Sequence, residues 1–319
     1  MFVQKNFLLI VLALAVMFAF AMKATVFQNP VAPAASAADK SNPSFAAYWF
    51  AGKAELNRYT LQQAQYGALN PGEAVLIFVT EDFRTDTQVK SEEPPGSRST
   101  GRDKSVPVMK TNMVKKFVTG IYDYSLFTSV FTPINNSSFP NTLKVSTSGQ
   151  EWCGHSYLQL NYASNGYHVD GKSYFEKEAA ETYDVEKTML EDELWNRIRL
   201  DPTKLPVGET RMIPGTISAR LRHKRLDPLL VNAKLADYDG VLFPGKLLKS
   251  YTVQYPTDDR TLMIVFEQAF PHKIAGWEET YKSKDNLLTS RAVLTKTIQS
   301  DYWNHNAPAD STLRAQLMN

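Results

Sequence analysis

The sequence predicts a mainly β protein with one or two helices: a curved antiparallel sheet, a half-barrel or a sandwich, with one helix packed on it. Three observations carry this expectation. Apolar residues recur mostly with period two or in short unbroken runs, as in 74–79 (AVLIFV), 143–145, 157–162 (YLQLNY), 251–255 (YTVQY) and 262–266 (LMIVF), the pattern of strands whose side chains alternate between two faces. Asn165-Gly166 stands between two such segments, so residues 157–175 read as a hairpin closed by a type I′ turn. Only 188–201 is assigned in detail to the longer period of an amphipathic helix.

The first element is an apolar run, residues 7–22 (FLLIVLALAVMFAFAM), set between Lys5 and Lys23. A charged start followed by an apolar stretch is the form of an export signal, and the run is just short of the roughly 17 to 25 residues that span a bilayer. Residues 1–27 are therefore expected to be a signal peptide or an N-terminal membrane anchor. Residues 28–46, rich in Ala, Pro and Ser, read as a linker, and 47–319 as a single β-rich domain. The expected location is the periplasm or cell envelope, free or held at the inner membrane by residues 7–22.

Further strands are expected around 53–62, 116–131, 211–223, 277–282 and 291–299, the last of which also fits a helix. The polar residues 84–106 read as a long loop. In the helix, Leu190, Leu194 and Ile198 form one apolar stripe that Trp195 widens. Thr188 and Glu191 have the spacing of a capping box, the acidic 191–193 and basic Arg197 and Arg199 suit the helix dipole, and Asp201-Pro202 ends the element.

The 319 residues are 43% hydrophobic and 21% charged, which places the chain among folded proteins. A net charge of +2 supplies no general attraction to nucleic acid, and no nucleic-acid partner is expected. One cysteine allows neither an internal disulfide nor a zinc site of several thiolates. The five histidines lack metal-ligand spacing, and no P-loop, GxGxxG or GxSxG occurs, so neither a metal nor a cofactor is expected.

Candidate chemistry concentrates in Glu151-Trp152-Cys153-Gly154-His155-Ser156. Trp-Cys-Gly-His opens like a thioredoxin-type motif, but Ser156 replaces the second thiol and a strand pattern follows where that motif needs a helix. Cys153 as a nucleophile with His155 as base, and Glu151 nearby, is the enzymatic reading, since residues two apart on a strand share a face. The structural reading makes Cys153 a small buried hydrophobe and Trp152 a core residue. For ligand contact the candidates are Trp152, Tyr157, Arg220 and Arg222, the arginines lying in the dense basic run 220–225, where Ala219, Leu221 and His223 alternate with cations like an amphipathic strand.

The runs 49–56 (WFAGKAEL), 74–83 (AVLIFVTEDF), 150–155 (QEWCGH) and 190–195 (LEDELW) together resemble an uncharacterised family of exported proteins from Bacteroidota and related bacteria, some members of which carry the label septum formation inhibitor. The resemblance covers most of the domain and brings no activity or catalytic residue with it. The motif of the Maf pyrophosphatases is absent from the chain. More distantly, the sheet pattern is similar to exported half-barrel families that hold lipid or a partner in a concave face.

The expected function is accordingly non-enzymatic: an exported envelope protein binding a hydrophobic small molecule, lipid or envelope protein on a curved β-sheet. Its 17 Phe, 15 Tyr and 5 Trp motivate this. The alternatives are an envelope enzyme using Cys153 and His155, and a purely structural envelope protein.

Overall fold

The computed structural model describes residues 43–92 and 104–318. The export signal at 7–22, most of the linker and the middle of the 84–106 loop lie outside the described residues. The elements run α1 (Pro43–Trp49), β1 (Ala54–Gln65), β2 (Ala68–Arg84), β3 (Ser105–Thr119), β4 (Tyr122–Pro133), β5 (Lys144–Glu151), β6 (Gly154–Ala163), β7 (Gly166–Ser173), β8 (Ala180–Glu186), β9 (Met189–Leu190), α2 (Leu194–Leu200), β10 (Gly208–Ile213), α3 (Thr216–Leu221), β11 (Leu229–Asp237), β12 (Leu248–Tyr255), β13 (Arg260–Glu267), β14 (Ile274–Ser283), β15 (Asn286–Ser300) and α4 (Ser311–Met318).

All fifteen described strands belong to one sheet, in the order β8-β7-β6-β5-β4-β3-β2-β1-β15-β14-β13-β12-β11-β10-β9. Every neighbouring pair is antiparallel except β9 with β10. The sheet is open, yet its two marginal strands, β8 and β9, are consecutive in the chain and separated by residues 187 and 188 alone. Three Cα steps cover at most about 11 Å, so the sheet must curl until its margins nearly meet. Side chains bridge that seam. Arg211 pairs with Glu186, the Leu226 amide donates to the Tyr183 hydroxyl at 3.2 Å, and the Arg225 guanidinium lies 3.5 Å from the Tyr183 ring centre.

Rolling the sheet creates an interior, and the chain fills it with α2 and α3. Leu194, Trp195 and Ile198 of α2 join one core cluster with Tyr59, Phe78 and Trp277 of the sheet, and the Trp195 and Trp277 rings meet edge to face at 5.1 Å. The outer face is covered more sparingly, α4 contributing Leu317 against Ala54 and Leu56.

Polar groups of the α2 segment are matched across the interior, as burial demands. Asn196 donates to the Met109 carbonyl at 3.0 Å and to Thr132 at 2.9 Å. Arg199 donates both terminal nitrogens to Glu55 at 2.6 and 2.7 Å, and Glu191 accepts two bonds from Arg260 at 2.5 and 2.6 Å.

Several local expectations change. The helix starts at Leu194 after a 3₁₀ turn over Glu191–Glu193; Glu193, not Glu191, reaches back to the Leu190 amide at 3.3 Å, and the Thr188 hydroxyl donates to the Met189 carbonyl instead of capping. The segment 211–223 is not one strand, because Pro214-Gly215 interrupt it and Thr216 begins α3 with its amide given to Asp192 at 2.9 Å. The segment 116–131 is two strands, parted at Gly120, whose φ is +62°. In the β6–β7 hairpin, Ala163 pairs with Gly166, so the loop is Ser164-Asn165. Gly166 serves a different need: a Cβ there would lie 1.9 Å from the Val185 carbonyl. The segment 291–299 is strand.

Candidate functional site

Because neighbouring strands are antiparallel, the turns that follow β1, β3, β5, β7 and β14 all emerge at one end of the rolled sheet. We term this end the rim, and the opposite end, closed by α1, the base. Tight turns normally carry Gly, Asn, Asp or Ser; here Gly67, Gly120 and Asp285 share the connections with large apolar neighbours, and Leu287 follows at the start of β15. Tyr66 is 44% exposed, Ile121 82%, Trp152 66%, Tyr174 68% and Leu287 69%.

The rim aromatics touch in sequence. Tyr66 lies 6.4 Å from Tyr122, and Tyr122 lies 6.3 Å from Trp152, ring centre to ring centre. The hydroxyls interlock, Tyr122 donating to Tyr66 at 2.8 Å and Tyr66 sharing a hydrogen bond with Tyr124 at 2.5 Å. Beyond Trp152, the backbone of Gly154 makes room for Tyr174, since a Cβ at 154 would come within 2.5 Å of that side chain. Tyr174 then meets Phe175 at 5.4 Å, and Phe175 lies against the Arg220 guanidinium at 4.5 Å.

Below this arc, charged groups are paired. Glu151 stands opposite Tyr124 across the β4–β5 ladder and accepts from Arg220 at 3.1 Å. Arg220 also donates to Ser156 at 2.5 Å and stands 3.6 Å from Glu178, which takes a 2.7 Å contact from His223 Nδ1. Burial, with the hydrogen bond from Tyr122, pushes the Tyr66 hydroxyl up to about 12; burial and the bonds to Tyr66 and Glu151 push Tyr124 higher still. Both phenols therefore stay protonated at neutral pH and act as hydrogen-bonding groups, not as bases.

Beside the arc opens a mouth of 550 Å³ between Tyr66, residues 221–224, residues 257–259 and residues 281–284. Asp258 there is taken by Arg222, at 2.5 and 2.9 Å, and by Lys224. Lys282 and Lys284 have no ion pair among the described residues, and the Lys284 ammonium lies 5.9 Å from the Tyr66 ring centre.

A second titratable cluster lies inside the sheet. Arg260 bridges Glu191 and Glu279, the latter at 2.7 Å. Burial raises Glu279 but the Arg260 charge prevails and holds it at about 2. Burial pushes Asp192 up to about 7, against the bond from the Thr216 amide, and pushes the Lys115 ammonium down despite the nearby Glu279 charge. Among the described residues no group of three or more His, Cys, Asp or Glu is placed to hold a metal.

Glu151, Trp152 and Arg220, singled out in the sequence, thus meet at the rim, and Arg222 lines the mouth next to them. Cys153 is exposed in the β5–β6 turn, and Trp152 stands out from the surface, so neither is the core residue the structural reading expects: a two-residue hairpin tip has no second layer to bury it. His155 is exposed on β6, and no hydrogen bond joins it to Cys153 among the described residues. Since Cys153 lies in the turn, the shared strand face needed by the nucleophile reading is absent. Tyr157 lies on the outer face, its hydroxyl donating to Gln159 at 2.6 Å. Sequence reasoning missed Tyr66, Ile121, Tyr122, Tyr174, Lys282 and Lys284, although apolar residues next to turn glycines, as in Tyr66-Gly67 and Gly120-Ile121, were a usable signal.

The architecture defines a mainly β protein built on one large, rolled and open antiparallel sheet. No protein-family model and no curated protein matches the sequence. Among solved structures the chain is similar to a β-barrel-like protein of the domain of unknown function DUF1849 from Brucella abortus, with a TM-score of 0.47 and 10% identity over 77% of this chain and 98% of that one.

Proposed function

We propose that the protein is an exported, non-enzymatic component of the cell envelope that binds a hydrophobic ligand or partner, and that the contact is made at the rim. The observation that carries this reading is the exposed arc from Tyr66 through Trp152 to Tyr174. Large apolar side chains left in water on successive turns mark an interaction surface more often than chance exposure. The concave face, where the sequence placed the contact, is taken up by α2 and α3, so the binding surface moves to the end of the sheet. The apolar run 7–22 supports the envelope location.

The test is equilibrium dialysis of the full chain against dodecyl maltoside below its micelle concentration, an uncharged probe with a single apolar tail. Saturable binding is expected, weakened about tenfold in the Ile121→Ser, Trp152→Ala double variant, as removal of two apolar contacts predicts. Absence of saturable binding, or equal binding by parent and variant, overturns the rim as the contact.

A further inference from the structure

The cations of the mouth specify which hydrophobic surface the rim takes, a step that rests on the proposed contact at the rim. We infer that the rim docks on an anionic lipid bilayer, with the aromatic arc in the headgroup layer and Lys282 and Lys284 against lipid phosphates. Three features of the structure lead there.

The apolar side chains are not gathered into one groove. They stand on four separate connections and, at Leu287, on the turn-proximal start of β15, and Ile121, Trp152, Tyr174 and Leu287 are each at least 66% exposed. A small ligand could cover one or two of them, whereas an extended apolar layer meets them all. The residue types fit a boundary and not a dry interface: Tyr and Trp join an apolar ring to a polar handle and collect at the headgroup level of membranes. Beside the exposed aliphatics of one base loop, Val241 at 95% and Leu247 at 80%, the rings of Tyr238 and Phe243 pack on each other at 5.5 Å and Phe243 is buried, so no ring of that loop stands in water as Trp152 and Tyr174 do.

Charge supplies the sign. At the mouth the four cations Arg222, Lys224, Lys282 and Lys284 face two acids, Asp258 and Asp259, the first of them held by Arg222 and Lys224, so that even with Asp285 of the adjoining turn positive charge is in excess. The Lys284 ammonium lies 5.9 Å from the Tyr66 ring centre and Lys282 lines the same mouth, so an arriving phosphate meets a cation next to the ring that enters the headgroups. Basic side chains beside interfacial aromatics are the combination that attracts anionic leaflets.

Cys153 is the chain's one cysteine and sits between Trp152 and Gly154 at the rim, which provides a local probe that the apolar run 7–22 cannot mimic. The full chain is labelled there with a polarity-sensitive fluorophore and titrated with vesicles of phosphatidylcholine alone or mixed equally with phosphatidylglycerol. A blue shift is expected with the mixed vesicles at a lipid concentration about tenfold below that needed for phosphatidylcholine, from the attraction of two lysines. Lys282→Glu with Lys284→Glu should abolish that preference, as should raised salt. Ile121→Ser with Tyr174→Ser should weaken the shift on both vesicles. Inorganic phosphate, compared with chloride at equal ionic strength, should leave the preference intact; selective competition would make the mouth a free-phosphate site and overturn bilayer docking. An unshifted probe on both vesicles while dodecyl maltoside still binds overturns this inference alone, and loss of both takes the rim reading with it. A preference that survives the two charge reversals also overturns it.

Discussion

At the base, the Arg199 guanidinium is held by Glu55 and lies 4.9 Å from the Trp49 ring and 4.7 Å from Phe78, with no exposure of either charged side chain. At the rim, Arg220 is held by Glu151 at 3.1 Å and lies 4.5 Å from Phe175, the same parts in a similar arrangement. What differs is the cover. At the base α1 brings Trp49 and Tyr48 over the ion pair, the Tyr48 hydroxyl donating to Glu55 and Thr80 donating to the Trp49 carbonyl at 2.6 Å. Among the described residues nothing plays that part at the rim, so its outer aromatics remain in water. Arginine, carboxylate and aromatic ring are thus a structural rivet at one end and the foundation of a contact surface at the other.

The comparison is broken most forcefully at Arg199. Replacing it by Ala leaves Glu55 buried without its cation, which should cost about 3–5 kcal/mol, read as a lowered urea midpoint. Arg220→Ala should cost less, since Glu151 lines an opening between Lys116, Phe117, Tyr124 and Trp152 that water can enter. Equal losses at the two sites would show that burial does not separate them.

Titration sharpens the contrast within the interior. Glu55 is raised by burial, yet Arg199 holds it at about 2, below its ordinary value of 4.5. The pair therefore stabilises the fold fully above pH 4.5, and that contribution fades as the pH falls toward 2. Asp192 runs the other way. Its folded value of about 7 lies above the ordinary 3.8, so the folded state holds the extra proton and stability is lost as pH rises from about 4 through 7. Asp192→Asn should match the parent near pH 4 and be more stable by about 1–4 kcal/mol at pH 8, measured by urea midpoints at both. A gain of the same size at both pH values would mean that the carboxylate charge is not the cause.

The smallest expected effect is at Cys153. Because the residue is exposed, Cys153→Ser should change stability by less than about 0.5 kcal/mol, and a thiol reagent should label the native chain nearly as fast as the unfolded one. Labelling that is slow until denaturation would show the rim to be covered, and would erase the difference between the two ends.

The strands at 157–162 and 251–255 were legible from apolar alternation and those at 74–79 and 262–266 from short unbroken apolar runs, both of which are written locally. So was the stripe of Leu190, Leu194, Trp195 and Ile198, all of which are buried. That α2 lies inside the sheet was not legible, because its polar partners Glu55, Thr132 and Arg260 are far away in the chain and nothing local to Glu191, Asn196 or Arg199 announces them. The acidic 191–193 therefore read as a dipole effect when each is a buried, partnered carboxylate. At the rim, Glu151, Trp152 and Arg220 stood out by composition and do converge. Tyr66, Ile121 and Tyr174 did not stand out, since their kinship is decided only by which turns share an end of the sheet.

The chain enters the fold at α1, on the base, while the aromatic arc occupies the far end of the strands. β3 alone has 15 residues, about 50 Å of strand if fully extended, so tens of ångströms separate the point of entry from the rim. On the proposed reading this makes the molecule a strut. Whatever the rim holds is thereby kept a full strand's length away from the chain's point of entry into the fold.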